Sequence, residues 1–307
     1  MDGSVSSRSL PVHVGYHASE SFMTVPLLAI SILLPGFMLG GQQAKPNPGD
    51  APRTGKLAAP VVLPLAGGLM IRYLQQIGGR VAMWKLDSFS AHATIGMDGG
   101  DNSGELDMAF GKPDRISIKL DLGSLGSSVV GSDGQIAWEI TTNDDQEEIE
   151  IIDRKDAQRR RRELNWFELA IRLNENARIF RTIAPAEFEG HPCWEIQKVT
   201  RSGKEDRIFL DRENYLLRGI RMIEQGPQGD YEITLAFRDW KPVEQLKLFH
   251  EVVISQSGLA MTIAFDRISL DTVPPKTFEP PETVKVLLAD EAVDATDNEQ
   301  EDQSDSQ

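Results

Sequence analysis

The sequence predicts a mainly-β fold of the α+β class, in which one strongly curved antiparallel sheet of about eleven strands is capped by helices. Three observations lead there. From Phe89 onward, apolar and polar residues alternate with period two in short segments bounded by turn residues. The connections between these segments are short, which makes neighbouring strands antiparallel. Only two regions carry helical periodicity, too few to cover the apolar face of so large a sheet, so the sheet must partly cover itself by curling.

Taken in order, residues 1–44 read as a leader. Thr24 to Leu39 is an apolar run with the length of a signal-peptide core, shorter than a comfortable membrane span and closed by Gly40, Gly41 and Ala44. Arg8 is the one base before it, and Gln42 makes the cleavage pattern a poor one. Met23 is an alternative start. The competing reading, a buried helix of the domain, has Pro26 and Pro35 against it. Residues 45–64, rich in Pro, Gly and Ala, have linker composition. The folded unit is expected over 65–281. It opens with apolar residues at helical spacing (Leu69, Tyr73, Leu74, Ile77, Val81, Trp84) interrupted at Gly78-Gly79, hence a helix, a break and a second short helical turn.

The strands follow. Leu106, Met108 and Phe110 share one face of the first well-marked hairpin and Ile116, Ile118 and Leu120 the next. After Gly131-Ser-Asp-Gly134, Ile136, Trp138 and Ile140 share a third. Asp153 to Asn174 is charged and then amphipathic, a helical excursion. Strand patterns return near Ile179, Trp194–Val199, Ile208–Leu210, Leu216–Ile223, Tyr231–Trp240, Leu246–Ser255 and Leu259–Leu270. Residues 282–307 read as a solvated acidic tail, since eight acids and no base follow Lys285.

Composition excludes several functions. A net charge of −15 argues against nucleic acid, which needs Lys and Arg gathered on one face. The single cysteine, Cys193, excludes an internal disulfide and any multi-cysteine metal site. His191 lies two residues before it, but Pro192 intervenes and no third member is placed, so a buried inert thiol is expected. No G-x-S-x-G, H-E-x-x-H, P-loop or dinucleotide fingerprint is present, so the chain is expected not to be an enzyme and to need no cofactor or metal. A hydrolase would require a site assembled from distant residues. Arg159–Arg162, with Arg154 and Lys155, is either a patch for anionic headgroups or a solvated face offsetting the acids just upstream; the second is favoured. Asp133-Gly134 is expected to be hairpin chemistry, and His250 a satisfied strand histidine.

The order of features resembles the LolA/LolB-like outer-membrane lipoprotein-sorting proteins over roughly Leu69 to Pro281. Tyr-Leu-Gln-Gln-Ile-Gly-Gly (Tyr73 to Gly79) continuing to Asp87-Ser88 carries it, with Lys112-Pro113 before an Ile-rich strand. Gly131-Ser-Asp-Gly-Gln-Ile-Ala-Trp138, Phe209-Leu-Asp211 ahead of Tyr215-Leu-Leu217, and the closing Thr277-Phe278-Glu279-Pro280 complete it. The resemblance implies a half-open barrel with helices at its mouth, binding lipid or lipoprotein acyl chains without covalent chemistry. The apolar run at Thr24–Leu39 and the absence of a cytosolic cofactor motif predict a periplasmic or envelope location, the chain being soluble after cleavage or held by an uncleaved leader, with a possible envelope or membrane-surface partner.

One-sided strands with too few covering helices imply an apolar groove. Its expected contributors are Leu106, Met108, Phe110, Ile118, Trp138, Leu235, Phe237 and Ile263, with the Asn165–Leu173 helix near the mouth; the same residues fit a solid core equally well. The alternative function is an envelope structural or regulatory interaction module whose barrel is filled by its own side chains.

Overall fold

A computed structural model describes residues 62–97, 103–143, 146–153, 155, 158–159, 161, 165–226 and 229–289. The apolar run at 24–39, most of the expected linker and residues 290–307 lie outside them. Among the described residues, no helix is long and apolar enough to cross a membrane.

Two helices open the domain, α1 (Ala66–Gln76) and α2 (Arg80–Lys85). The break expected at Gly78-Gly79 is present, and both glycines have positive φ (99° and 90°). A Cβ on Gly78 would lie 2.5 Å from the Gln245 carbonyl oxygen, so this turn needs glycine for conformation and for space. Thirteen strands then form one sheet. The first arm holds β1 (Ser88–Met97), β2 (Ser103–Gly111), β3 (Arg115–Asp121), β4 (Ser127–Ser132), β5 (Ala137–Asn143) and β6 (Gln146–Ile152). After α3 (Trp166–Ile171), the second arm holds β7 (Ala177–Phe188), β8 (His191–Thr200), β9 (Glu205–Asp211), β10 (Leu217–Gly226), β11 (Gly229–Val243), β12 (Leu246–Gln256) and β13 (Leu259–Leu270).

Every strand pairs antiparallel with its sequence neighbour except at the joint, where β1 pairs with β13 and fuses the two arms. Among the described residues, β6 and β7 are the outermost strands and do not pair with each other, so the curved sheet is not closed. The expected class is therefore found, with two strands more than expected. β4 reads Ser-Ser-Val-Val-Gly-Ser without apolar alternation and is held by pairing on both sides, while β6, Gln-Glu-Glu-Ile-Glu-Ile-Ile, alternates only over Glu148–Ile151 and forms a charged edge.

The inner face of the sheet is packed by α1 and α3. Leu69, Met70 and Tyr73 from α1 and Phe167, Ala170 and Ile171 from α3 enter the same core as inner residues of both arms. Phe167 is its centre, with ring centroids 4.4 Å from Phe249, 4.5 Å from Phe89 and 5.1 Å from Phe265. Aromatic contacts of this kind add to area burial, and six-residue α3 depends on them, being too short to be stable alone. Its local supports are Asn165, whose side-chain oxygen accepts from the Glu168 N–H, and the i,i+4 ion pair of Glu168 with Arg172.

The expected boundary at 281 is corrected. Residues 282–289 form a further helix, α4, which lies on the outer face. Val284 is fully buried there against Trp138 and Ile149, with Leu287 and Leu288 packed beside it. The sequence Val-Lys-Val-Leu-Leu places these apolar residues at helical spacing, and burial of that stripe outweighs the solvation of the acids that follow.

Candidate functional site

Seven of the eight expected groove residues come together. Leu106, Met108, Phe110, Ile118, Leu235, Phe237 and Ile263 all belong to the inner core, and each is 0–5% exposed. They are packed by helix side chains rather than facing an empty groove.

Trp138 does not join them. Register sets Ile118 opposite Val130 and Val130 opposite Glu139, so the inner positions of β5 include Glu139, and Trp138 points outward. Its indole lies across Gly131, where a Cβ would come within 2.3 Å of the ring. Ile136, Trp138 and Ile140 do share a face, as expected, but it is the face that α4 covers.

The open space beside this core is a cleft of about 300 Å³ at its mouth. Its apolar wall is Met83, Leu86, Phe89, Phe110, Phe167 and Ile171, so α2, β1, β2 and α3 each contribute, and the Asn165–Leu173 segment lines it through Asn165, Phe167, Glu168, Ile171 and Arg172. Phe110 is the one expected groove residue that reaches this cleft.

The rim is charged and largely self-paired. Lys112 donates to the Trp84 carbonyl at 2.7 Å and lies 3.6 Å from Asp87. Arg161 bonds Asp114 at 3.1 Å, and Arg172 bonds Glu168 at 2.6 Å. Arg161 is thus one member of the basic run that serves in pairing; Arg154, Arg160 and Arg162 lie outside the described residues. These rim groups were not legible beforehand, because they come from three distant stretches, and the only signal for Lys112 was the turn before Pro113.

Two polar atoms on the plugging helices have no partner. Tyr73 Oη and Trp166 Nε1 are buried without a hydrogen bond among the described residues. Burial pushes the Tyr73 phenol far above its ordinary pKa, so it is a neutral, unsatisfied hydroxyl within an apolar core. Such groups are rare, each costing about 1–3 kcal/mol.

The other residues singled out by sequence have structural duties. Cys193 is buried with Phe188 and Phe209 on the outer face. Burial and the Asp211 charge push its thiol up to about 11 against the opposing pull of Arg218, so no thiolate forms near neutral pH. Burial raises the Asp211 carboxyl, but the Asn214 and Glu213 N–H groups and the Arg218 guanidinium outweigh it and hold it below the usual range. The Phe209-Leu-Asp211 stretch is therefore the end of β9, closed by a turn that Asp211 caps. Asp133 likewise accepts from the N–H groups of Gln135 and Ile136 at its hairpin. His250 is half-buried with Nδ1 at 3.2 Å from the Leu248 carbonyl. Among the described residues, no three His, Cys, Asp or Glu side chains gather as a metal site.

The sequence matches no protein-family model and no curated protein. Solved structures are more informative about outline. A LolA superfamily protein from Nitrosomonas europaea is similar over 72% of this chain and 99% of its own, at 10% identity and a TM-score of 0.45. A DUF1329 family protein from Desulfovibrio piger follows over 70% and 95%, at 11% identity and 0.45. A putative outer membrane lipoprotein-sorting protein domain from Vibrio parahaemolyticus is similar over 62% and 89%, at 12% identity and 0.41. The likeness to these structures is one of low identity and low TM-score. At these values it is a likeness of architecture alone.

Proposed function

We propose that the chain is an exported, non-catalytic carrier for lipid or lipoprotein acyl chains, with α1 and α3 serving as a plug that an entering chain displaces. The carrying observation is the pair of unsatisfied polar atoms on that plug, Tyr73 Oη and Trp166 Nε1, together with the open apolar cleft that Phe167 and Ile171 of α3 help to line. A closed form that leaves buried donors unpaired is stabilised by any arrangement that satisfies them, and an acyl ester or carboxyl offers acceptors where a hydrocarbon side chain offers none. Affinity comes from apolar burial, at about 0.8 kcal/mol per methylene, and needs no charged catalytic group.

A fluorescent fatty acid should bind the purified domain. Trp84→Glu sets a charge beside the cleft at a residue 54% exposed, so the fold is retained while probe affinity falls about tenfold. A parent domain that takes up no probe, or a Trp84→Glu variant that binds as the parent does, overturns the reading. The first result favours the alternative, an envelope interaction module. Its specific support is the near-complete burial of the seven expected groove residues, which makes the inner face a solid core.

Export is part of the proposal and rests on the apolar run at 24–39. Fusing residues 1–50 to a reporter that works only outside the cytoplasm should give activity; a silent fusion beside a working control signal sinks it.

A further inference from the structure

We infer that the outer face carries a second binding site, separate from the mouth cleft and independent of the acyl-chain proposal, for a small phosphorylated polyol. The site is a cavity of about 410 Å³ between the joint of the two arms and the segment Thr272–Thr277.

Its floor is one register row across four strands. Ser269 of β13 pairs with Ser90 of β1, Ser90 with Ala109 of β2, and Ala109 with Ser117 of β3. Small side chains leave room for the crossing segment above, and alanine suffices for that at one position. Serine at the other three adds hydroxyls, none of which has a hydrogen-bond partner among the described residues. Ser117 is the informative one, being 9% exposed, lining the cavity and unpaired. A hydroxyl that bonds nothing in the protein and lines the cavity is free to bond an oxygen of a ligand held there.

The adjacent row supplies charge. Arg267, His92, Asp107 and Lys119 follow one another in register across the same strands, and all four line the cavity. His92 is committed to Asp266, with Nδ1 2.7 Å from the carboxylate, and that bond is the main cause of the lowered Asp266 pKa. Arg267 feels Asp266 electrostatically, yet Arg267, Asp107 and Lys119 make no ion pair or hydrogen bond with any described residue. The two cations stand at the ends of the row, three strand spacings or about 14 Å apart, with the carboxylate between them.

A bare multivalent anion is a poor match to that pattern, because Asp107 would repel it. A ligand with an oxyanion at one end and hydroxyls along its body fits it. The oxyanion pairs with Arg267 or Lys119, a ligand hydroxyl donates to Asp107, and the floor serines bond the remaining oxygens.

The wall is held in place before any ligand arrives. Asp271 accepts from the N–H groups of Asp87 and Ser88 at 2.6 and 3.0 Å, and Val273 N–H donates to Ser88 Oγ at 3.3 Å. Beyond it Phe278 is buried against Gly111 with the Arg115 guanidinium 4.9 Å over its ring. Such fixing lowers the ordering cost of binding.

The probe is sn-glycerol 3-phosphate, titrated by calorimetry beside inorganic phosphate and glycerol. Saturable binding in the millimolar range or tighter is expected, at least about tenfold stronger than for phosphate. Arg267→Gln should weaken both about tenfold. Asp107→Asn should remove the advantage of the polyol without weakening phosphate. Ser117→Ala should weaken the probe while leaving the melting temperature unchanged, since that hydroxyl makes no bond within the protein; a purely structural serine gives the opposite pattern.

Vesicles of phosphatidylglycerol in phosphatidylcholine separate the sources. Co-sedimentation that Arg267→Gln abolishes assigns the ligand to a lipid headgroup, and binding of the free compound alone assigns it to a soluble metabolite. No saturable heat up to about 10 mM, or binding that Arg267→Gln and Ser117→Ala leave untouched, overturns the site.

Discussion

Replacing Leu235 by glutamate is expected to leave no folded protein at all. Leu235 is 1% exposed and sits at the centre of β11, opposite Ile220 of β10 and Ile254 of β12, with all three in the inner core. The substitution removes a buried leucine, worth about 2–5 kcal/mol. It also adds a carboxylate that must either stay charged with no partner or be protonated, at a further cost of several kcal/mol. The sum is comparable to the whole stability of a domain, about 5–15 kcal/mol. Circular dichroism should show loss of the cooperative melt at 25 °C, whereas the exposed Trp84→Glu variant melts like the parent. A Leu235→Glu protein that keeps a native melt would mean that this face is open to water, and the groove expected from alternation alone would stand.

Alternation has a definite limit in this chain, and Leu235 marks one side of it. Period two tells which residues share a face, and it did so for Leu106, Met108 and Phe110, for Tyr231–Phe237, and for Ile136, Trp138 and Ile140. It does not say which face is inside. In most strands the polar partners settle that, but β5 carries apolar side chains on both sides of Glu139, which is 8% exposed and faces inward. Trp138 therefore looked like its neighbours in pattern while lying on the opposite surface.

The joint between β1 and β13 was equally hidden, since Phe89 and Leu270 meet across the whole length of the domain and no local signal records such a pairing. The outer polar cavity inherits this: Arg267 and Ser269 meet β1–β3 only after the two arms fuse, so Arg267 and Ser117 carried no individual mark. The mouth cleft is lined by residues 83–172, which α3 brings together by packing on the inner face. What was legible was local: the Gly78-Gly79 break, the Asp133 turn, the amphipathic stretch that yields α3, and a single inert cysteine.

The second large effect is expected from ending the chain after Pro281. The acidic stretch beyond it looks dispensable, yet α4 sets Val284, fully buried, onto Trp138 and Ile149, with Leu287 and Leu288 alongside. Removing it returns much of an indole face, an isoleucine and their covering side chains to water, a loss of roughly 2–5 kcal/mol at the usual value per unit of apolar area. For a domain of this size each kcal/mol moves the melting temperature by about 2–4 °C, so a fall of about 5–15 °C is expected. A chain ending after Ala289 should melt like the full-length protein, and limited proteolysis should stop near 289 rather than near 282. Val284→Asp tests the same contact without shortening the chain and should lose about as much, because the aspartate cannot enter the cluster and α4 must detach to solvate it. If the chain ending after Pro281 melts with the one ending after Ala289, α4 contributes nothing and Trp138 must be covered by something else.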